Sequence, residues 1–276
     1  MSNKIISSIF VLVLFSFYGN AQVISKLSQN GFYAKFTPNG ENIVFSSSDF
    51  TGLKKMNIES TKTETLSSDV GAGYNSIVEN NKVLFSTRGN RGVVNQIEYK
   101  SKKVTMFNNT NLYSIQAKEL SAGKKQSNLP IGAKSSNDLS SVEIIYADGS
   151  TKLVNTNKTT NKIWVSLSPN KKMILYTVVG QETFITDLKG KVIASLDRTE
   201  TPRWANDNTI VYMLTKEKID YITAGDIYKF NLDNKKSSLL TGKFDGIAMY
   251  PDMTVDGNKV VFNNAKGELF LIQLNN

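Results

Sequence analysis

A pattern that returns roughly every forty residues constrains this chain more than any other feature. Its unit is a hydrophobic strand, a tight polar turn, then a second strand that ends near an aromatic side chain. It reads FYAKFTPNGENIVFSSS at 32–48, YNSIVENNKVLFSTR at 74–88, IWVSLSPNKKMILYTV at 163–178, TPRWANDNTIVYMLT at 201–215 and AMYPDMTVDGNKVVFNN at 248–264. Turns such as Pro38-Asn39-Gly40, Pro169-Asn170-Lys171 and Asp256-Gly257 are hairpin chemistry. Gly and Asn tolerate positive φ, and Pro presets φ for a turn. The second strands, 43–45 and 260–262 among them, are short apolar runs that suit burial on both faces.

A second hairpin follows in most units. KKMNIESTKTETL (54–66), NQIEYKSKKVTMF (95–107), TFITDLKGKVIASL (183–196) and DIYKFNLDNKKSSLL (226–240) each run strand, charged or glycine turn, strand. A unit is therefore four antiparallel strands, a-b-c-d. The aromatic landmarks Phe45, Phe85, Tyr176, Tyr212 and Phe262 set the period. The long gap from Phe85 to Tyr176 leaves room for one degenerate unit at 108–157, with VEIIYADGSTKLV (142–154) as its outer hairpin. KEKIDYITAG (216–225) reads as a loop insertion. Six units fill the chain, and repeated four-stranded sheets of this period predict an all-β, six-bladed β-propeller. An irregular sandwich would not keep this strand order through six repeats. The last unit supplies strands a, b and c but no d. The stretch VISKLSQN (23–30) matches the d-strand endings TETLS and SSLLTG. Its residues 23–28 are expected to pair antiparallel with 269–274 and close the ring, which removes both exposed edges.

These residues carry a family resemblance. SPNKKMILYT, PRWANDNTIVYM and GDIYKFNLDNKKSSLLTG resemble the repeat of TolB-like, or WD-repeat-like, propellers. Pro202, Trp204, Asp226, Ile227, Tyr228, Leu232, Leu240 and Thr241 match that repeat in the fifth unit, and Ser86-Thr87-Arg88-Gly89 resembles its S-x-R-x-G. The third unit departs from it. The resemblance implies a propeller over 31–276 and a role as an interaction platform for envelope proteins. Matched positions are mostly turn and packing positions, so they speak to fold more than to function. Trp204, Phe36 and Trp164 are expected to pack between blades, with a ligand platform as the alternative use. Asp226 is expected to accept hydrogen bonds from loop backbone.

The first 21 residues read as a targeting segment. Lys4 precedes an apolar run at 5–18, too short to span a bilayer, and Gly19-Asn20-Ala21 sets small residues before a cut between Ala21 and Gln22. The expectation is a signal peptide at 1–21, a single domain at 22–276 and a periplasmic or secreted protein. The chain has no cysteine, so its core alone must hold it. It also has no histidine, which removes Ser-His-Asp and Cys-His catalysis and His-ligated metal sites. Formal net charge is +9, and loss of Lys4 with the leader lowers it by one.

Chemical constellations are weak. Ser168 and Lys171 fit S-x-x-K, as do Ser121 and Lys124, but both pairs sit in turns or loops where that catalytic geometry does not form. Asp49, Asp69, Glu182, Asp197, Glu200 and Asp245 fall in loops of one face and are candidates for a two-carboxylate glycosidase. The WANDNT and NLDNKK stretches hold calcium-type oxygens, but hairpin turns explain both. The face of a–b and c–d turns carries a lysine excess, and the other face a slight acid excess. That polarity fits a weak association with an anionic surface and lacks the dense basic stripe of a nucleic-acid binder. In STRGNRG (86–92), Arg88 and Arg91 could grip a carboxylate or phosphate, or pair between blades. The candidate binding residues are thus Arg88, Arg91, Arg198 and Trp204, with no catalytic residue, metal ligand or cofactor assigned. The favoured reading is a non-enzymatic scaffold for an envelope or secreted protein or peptide. The alternative is a propeller enzyme acting on carbohydrate through loop carboxylates or a calcium ion.

Overall fold

The computed structural model describes residues 23–74, 76–90, 92–112, 114–115, 128–154, 156, 161–219 and 221–274. The expected targeting segment at 1–21, the expected cut between Ala21 and Gln22, and Arg91 lie outside the described residues. So do Ser121 and Lys124. No described helix is long and apolar enough to cross a membrane.

The described chain is all-β, a propeller-like arrangement of antiparallel sheets. At its start run β1 (Val23–Phe36), β2 (Asn42–Ser47), β3 (Leu53–Asn57) and β4 (Thr63–Ser67). A four-stranded sheet follows: β5 (Ser76–Val78), β6 (Lys82–Phe85), β7 (Val94–Glu98) and β8 (Val104–Phe107). Next come the three strands β9 (Pro130–Ser135), β10 (Val142–Tyr146) and β11 (Thr151–Val154). Two more four-stranded sheets are β12 (Lys162–Leu167), β13 (Met173–Val178), β14 (Thr183–Asp187), β15 (Val192–Leu196), and β16 (Glu200–Asn206), β17 (Thr209–Lys218), β18 (Tyr221–Asn231), β19 (Lys236–Leu239). The last strands, β20 (Ala248–Met253), β21 (Lys259–Asn264) and β22 (Glu268–Gln273), join the first four in one seven-stranded sheet of order β20-β21-β22-β1-β2-β3-β4.

The seven-stranded sheet arises because β1 serves two sets of partners. Val23 pairs with Gln273, Ile24 with Ile272 and Lys26 with Phe270, all antiparallel. From Gly31 onward the strand pairs with β2 instead, Gly31 to Ser47 and Phe36 to Ile43. The expected latch is present, and it does more than end a sheet. No turn interrupts the chain between the two pairings, so six separate four-stranded sheets are not what forms. Gly31 sits at the handover with room for no side chain: a Cβ there would lie 2.4 Å from Ser46 O.

Apolar cores fill the wedges between neighbouring sheets. Phe36, Ile43 and Phe45 meet Val261, Leu269 and Leu271, so the two halves of the seven-stranded sheet pack on each other as separate layers would. Val44 and Leu53 meet Val83, Phe85 and Ile97. Ala133, Val142 and Ile144 meet Ile174 and Tyr176, and Leu175 and Ile185 meet Ile210, Tyr212 and Phe230. Val211, Met213 and Ile227 meet Val260 and Phe262. The short b strands are buried on both faces, as their apolar runs predict.

Two expectations need correction. The 142–154 stretch is not the outer hairpin of its unit: β10 pairs with both β9 and β11, and β9 packs beside β12. The preceding turn explains why. Thr37, Ser136, Ser168 and Thr254 each donate a hydroxyl to Asn39, Asp138, Asn170 and Asp256, two residues on. The same hydroxyls accept the N–H groups of Asn42, Ser141, Met173 and Lys259. Ser136–Ser141 is therefore the a–b turn of the degenerate unit. The second correction concerns 216–225, which is no loop. It extends β17 and β18 into a long hairpin, with Lys216 opposite Ala224 and Lys218 opposite Tyr221. Its tip carries exposed Ile219 and Tyr221.

Candidate functional site

The inner strands share an irregularity that builds a site. β1, β12, β16 and β20 share a break of register, between Phe32 and Lys35, Ile163 and Ser166, Glu200 and Arg203, and Met249 and Asp252. Inside each break one residue takes positive φ: Tyr33 (57°), Trp164 (52°), Thr201 (47°) and Tyr250 (53°). A β-bulge of this kind re-aims side chains. Left-handed backbone at a residue other than glycine costs about 1–3 kcal/mol and clusters where function requires it. Four equivalent costs around one axis mark the place. All four residues line a cavity of about 1300 Å³, together with Lys35, Ser166, Arg203 and Asp252 two positions further along each strand. Tyr74 and Ser76 take the corresponding places at β5.

The mouth of this cavity is aromatic. The Tyr33 ring packs edge-on against Tyr74 (centroids 5.0 Å apart) and Tyr250 (4.6 Å). Phe50, on the β2–β3 loop, stacks on Phe32 at 4.7 Å and reaches Tyr33 at 6.1 Å. Tyr74, Phe50 and Trp164 stay 68%, 40% and 37% exposed. Burial and the neighbouring Tyr250 push the Tyr33 hydroxyl up to about 12, so the ring is neutral at any ordinary pH.

Deeper in, the wall is charged. The Lys35 ammonium donates to Ser76 O at 2.7 Å and to Ser76 Oγ at 3.2 Å. Arg203 approaches Asp252 at 3.7 Å, and the Phe36 N–H donates to the other Asp252 oxygen at 2.7 Å. Burial and then the Arg203 charge lower the Lys35 ammonium to about 7, with Asp252 offsetting only part. Burial raises the Asp252 carboxyl against the pull of Arg203, the Phe36 N–H and Lys35.

The residues singled out from sequence scatter. Arg198 and Trp204 line the cavity, whereas Arg88 is exposed and lies away from its wall. Arg198 is committed to Glu200 by a 2.6 Å ion pair, while Arg88 makes no ion pair among the described residues. Trp204 also packs into the core between the β12–β15 and β16–β19 sheets, as expected for a wedge aromatic. Phe36 does likewise. Trp164 does not, because its positive φ turns it to the cavity mouth. Asp226 accepts the Thr241 hydroxyl rather than loop backbone; that hydroxyl in turn accepts the Ile227 N–H. Ser168 is spent on its turn, accepting two N–H groups and donating to Asn170.

Of the six loop acids, only Glu200 lines the cavity, and it is held by Arg198 and the Thr215 hydroxyl. Asp49 and Asp69 are tied to Ser47 and Ser67 within their own loops. Among the described residues no three acidic side chains gather in a way that could hold a metal ion. Lys35, Asp252 and the tyrosines were missed from sequence. Their signal is the position two or four residues before the a–b turn, which reads as ordinary strand unless the bulge is known.

No protein-family model matches the chain, and no curated protein matches it by sequence. Solved structures match it by shape. A chain in the crystal structure of a mitotic checkpoint complex aligns at 10% identity with a TM-score of 0.59, covering 100% of this chain and 98% of that one. An oligogalacturonate lyase from Vibrio parahaemolyticus aligns at 12% identity with a TM-score of 0.58, covering 91% and 93%. At such identities the likeness concerns the fold alone, and that fold is of the β-propeller, WD40-like type.

Proposed function

We propose that this chain is an exported, TolB-like propeller that binds a protein or peptide at the mouth of its central cavity and catalyses no reaction. The reading takes 1–21 as a cleaved signal peptide and 22–276 as one domain in the periplasm or outside the cell. It counts six blades, by dividing the seven-stranded sheet at Gly31 and allowing the β9–β11 sheet as a blade. The observation that carries it is the contiguous aromatic cluster in which Tyr33, Tyr74 and Tyr250 line the cavity and Phe32 and Phe50 pack behind Tyr33, with Trp164 also lining that cavity. Partly exposed Tyr and Trp side chains supply large contact area at low entropic cost and dominate protein-binding surfaces. The β17–β18 hairpin, with Ile219 and Tyr221 at its tip, adds apolar area beyond the ring. A two-carboxylate hydrolase is disfavoured because, of the six loop acids, Glu200 alone reaches the cavity and is paired with Arg198, while Asp252 on the same lining is held by Arg203 and the Phe36 N–H.

The test is quantitative crosslinked capture from the envelope fraction with wild-type protein and with Tyr74→Ala/Trp164→Ala. A genuine partner should be recovered by wild type and reduced at least about tenfold by the double variant, whose two side chains are exposed and not part of any core. Equal recovery by both proteins would overturn the mouth as the binding surface.

A further inference from the structure

We propose that Lys35 and Arg203 form an anion site deep in the central cavity, which receives a carboxylate carried by the bound peptide. The choice of a peptide as carrier rests on the function proposed above; the anion site itself does not. Three inner strands bring the charges together: Lys35 from β1, Arg203 from β16 and Asp252 from β20. Two cations face one carboxylate, and that carboxylate is already divided. One oxygen lies 3.7 Å from Arg203, beyond hydrogen-bond length, and the other accepts the Phe36 N–H. A guanidinium has five donors in a planar fork, so a single long contact leaves most of Arg203 unused. Both Lys35 hydrogen bonds go to one residue, Ser76, and leave its third proton free to turn toward a ligand.

The surroundings supply more donors. Ser166 Oγ, Thr201 Oγ1 and Trp204 Nε1 belong to residues of the same cavity wall, and none of the three atoms has a hydrogen-bond partner. Buried polar atoms without partners are rare and call for an explanation. These three atoms are buried on residues whose other atoms line the cavity. A ligand with one negative charge balances the site. A phosphate dianion would overcharge it, because Asp252, Glu200 and Glu217 all lie on the same wall. The aromatic mouth and the charged depth then fit one ligand: a peptide with a large apolar residue outside and a carboxylate, terminal or from a side chain, inside. Burial and the neighbouring Arg203 charge, only partly offset by Asp252, lower the Lys35 ammonium to about 7, so an added carboxylate there would favour its charged form.

The two tryptophans of the chain, Trp164 and Trp204, both line the cavity, so their fluorescence reports occupancy. Titration with acetyl-tyrosyl-alanine, its C-terminal amide and sodium acetate separates the terms. The free acid should bind at least about tenfold more tightly than the amide. Lys35→Met and Arg203→Met should each erase that preference, while Lys35→Arg and Arg203→Lys keep most of it and show that charge, not packing, is read. Equal binding of acid and amide by wild type would overturn the anion site, as would an unchanged preference in both methionine variants. An acetate response present in wild type and lost in those variants, with no dipeptide bound, supports the anion site and sinks the peptide reading alone. No response to any of the three probes would overturn the site.

Discussion

Lys35 shows how far one residue departs from its sequence context. In FYAKF it alternates with apolar neighbours and looks like a solvated strand position. The bulge at Tyr33 instead turns it into the cavity against Arg203 and Asp252. Its ammonium titrates near 7 in the folded protein and near 10.4, the usual lysine value, in the unfolded chain. Between those values the unfolded state binds more protons, so this group makes stability rise with pH from about 7 to about 10. Below 7 both states are protonated and the slope vanishes. Lys171, also lowered by burial, acts in the same sense, whereas Tyr33, raised to about 12, opposes it only above the ordinary tyrosine range. The melting temperature of Lys35→Met relative to wild type should therefore be highest near pH 7 and decline toward pH 9.5. A difference that stays constant over that range would refute the buried cation.

At the scale of elements, β1 and the a–b turns carry the design. Five a–b hairpins are legible from turn chemistry, and the degenerate one is legible in retrospect. Ser136, Asp138 and Ser141 repeat the Thr37, Asn39 and Asn42 arrangement, but without the Pro or Gly that marks the turns at 38–40, 169–171 and 256–257. The extended β17–β18 hairpin was hidden for a different reason. Its residues 216–225 are charged and end in Ala-Gly, which mimics a loop, yet the hairpin continues through them with one register shift between Lys216 and Glu217. Gly31 is the joint of β1. Gly31→Ala would drive a Cβ into Ser46 O and Phe45 Cδ2, each at 2.4 Å. The backbone oxygen cannot step aside, so the substitution should cost about 1–3 kcal/mol. Urea unfolding should show a lower midpoint with an unchanged slope, and an unshifted midpoint would mean the handover is looser than its contacts show.

For the whole molecule, the pairing of β1 with β22 ties the two ends of the described chain into one sheet. Leu27 is buried by that pairing, and Lys26 bonds Glu268 at 2.6 Å. Deleting 22–29 should strip this strand, expose the edge of β22 and lower the melting temperature by at least about 4 °C, since burial of a leucine is worth about 2 kcal/mol and each kcal/mol moves a protein of this size by about 2–4 °C. Retention of the full midpoint would refute the latch. Most of the hairpins could be read from residues close together in the chain, because turn chemistry and two-residue alternation are local, and the closing partner of 23–28 followed from the strand missing in the last unit. The cavity could not. Tyr33 meets Tyr250, and Lys35 meets Arg203, only once the ring has closed and the bulges have re-aimed them; positive φ at Tyr33, Trp164, Thr201 and Tyr250 is imposed by the packed sheets around them and has no local cause in the sequence.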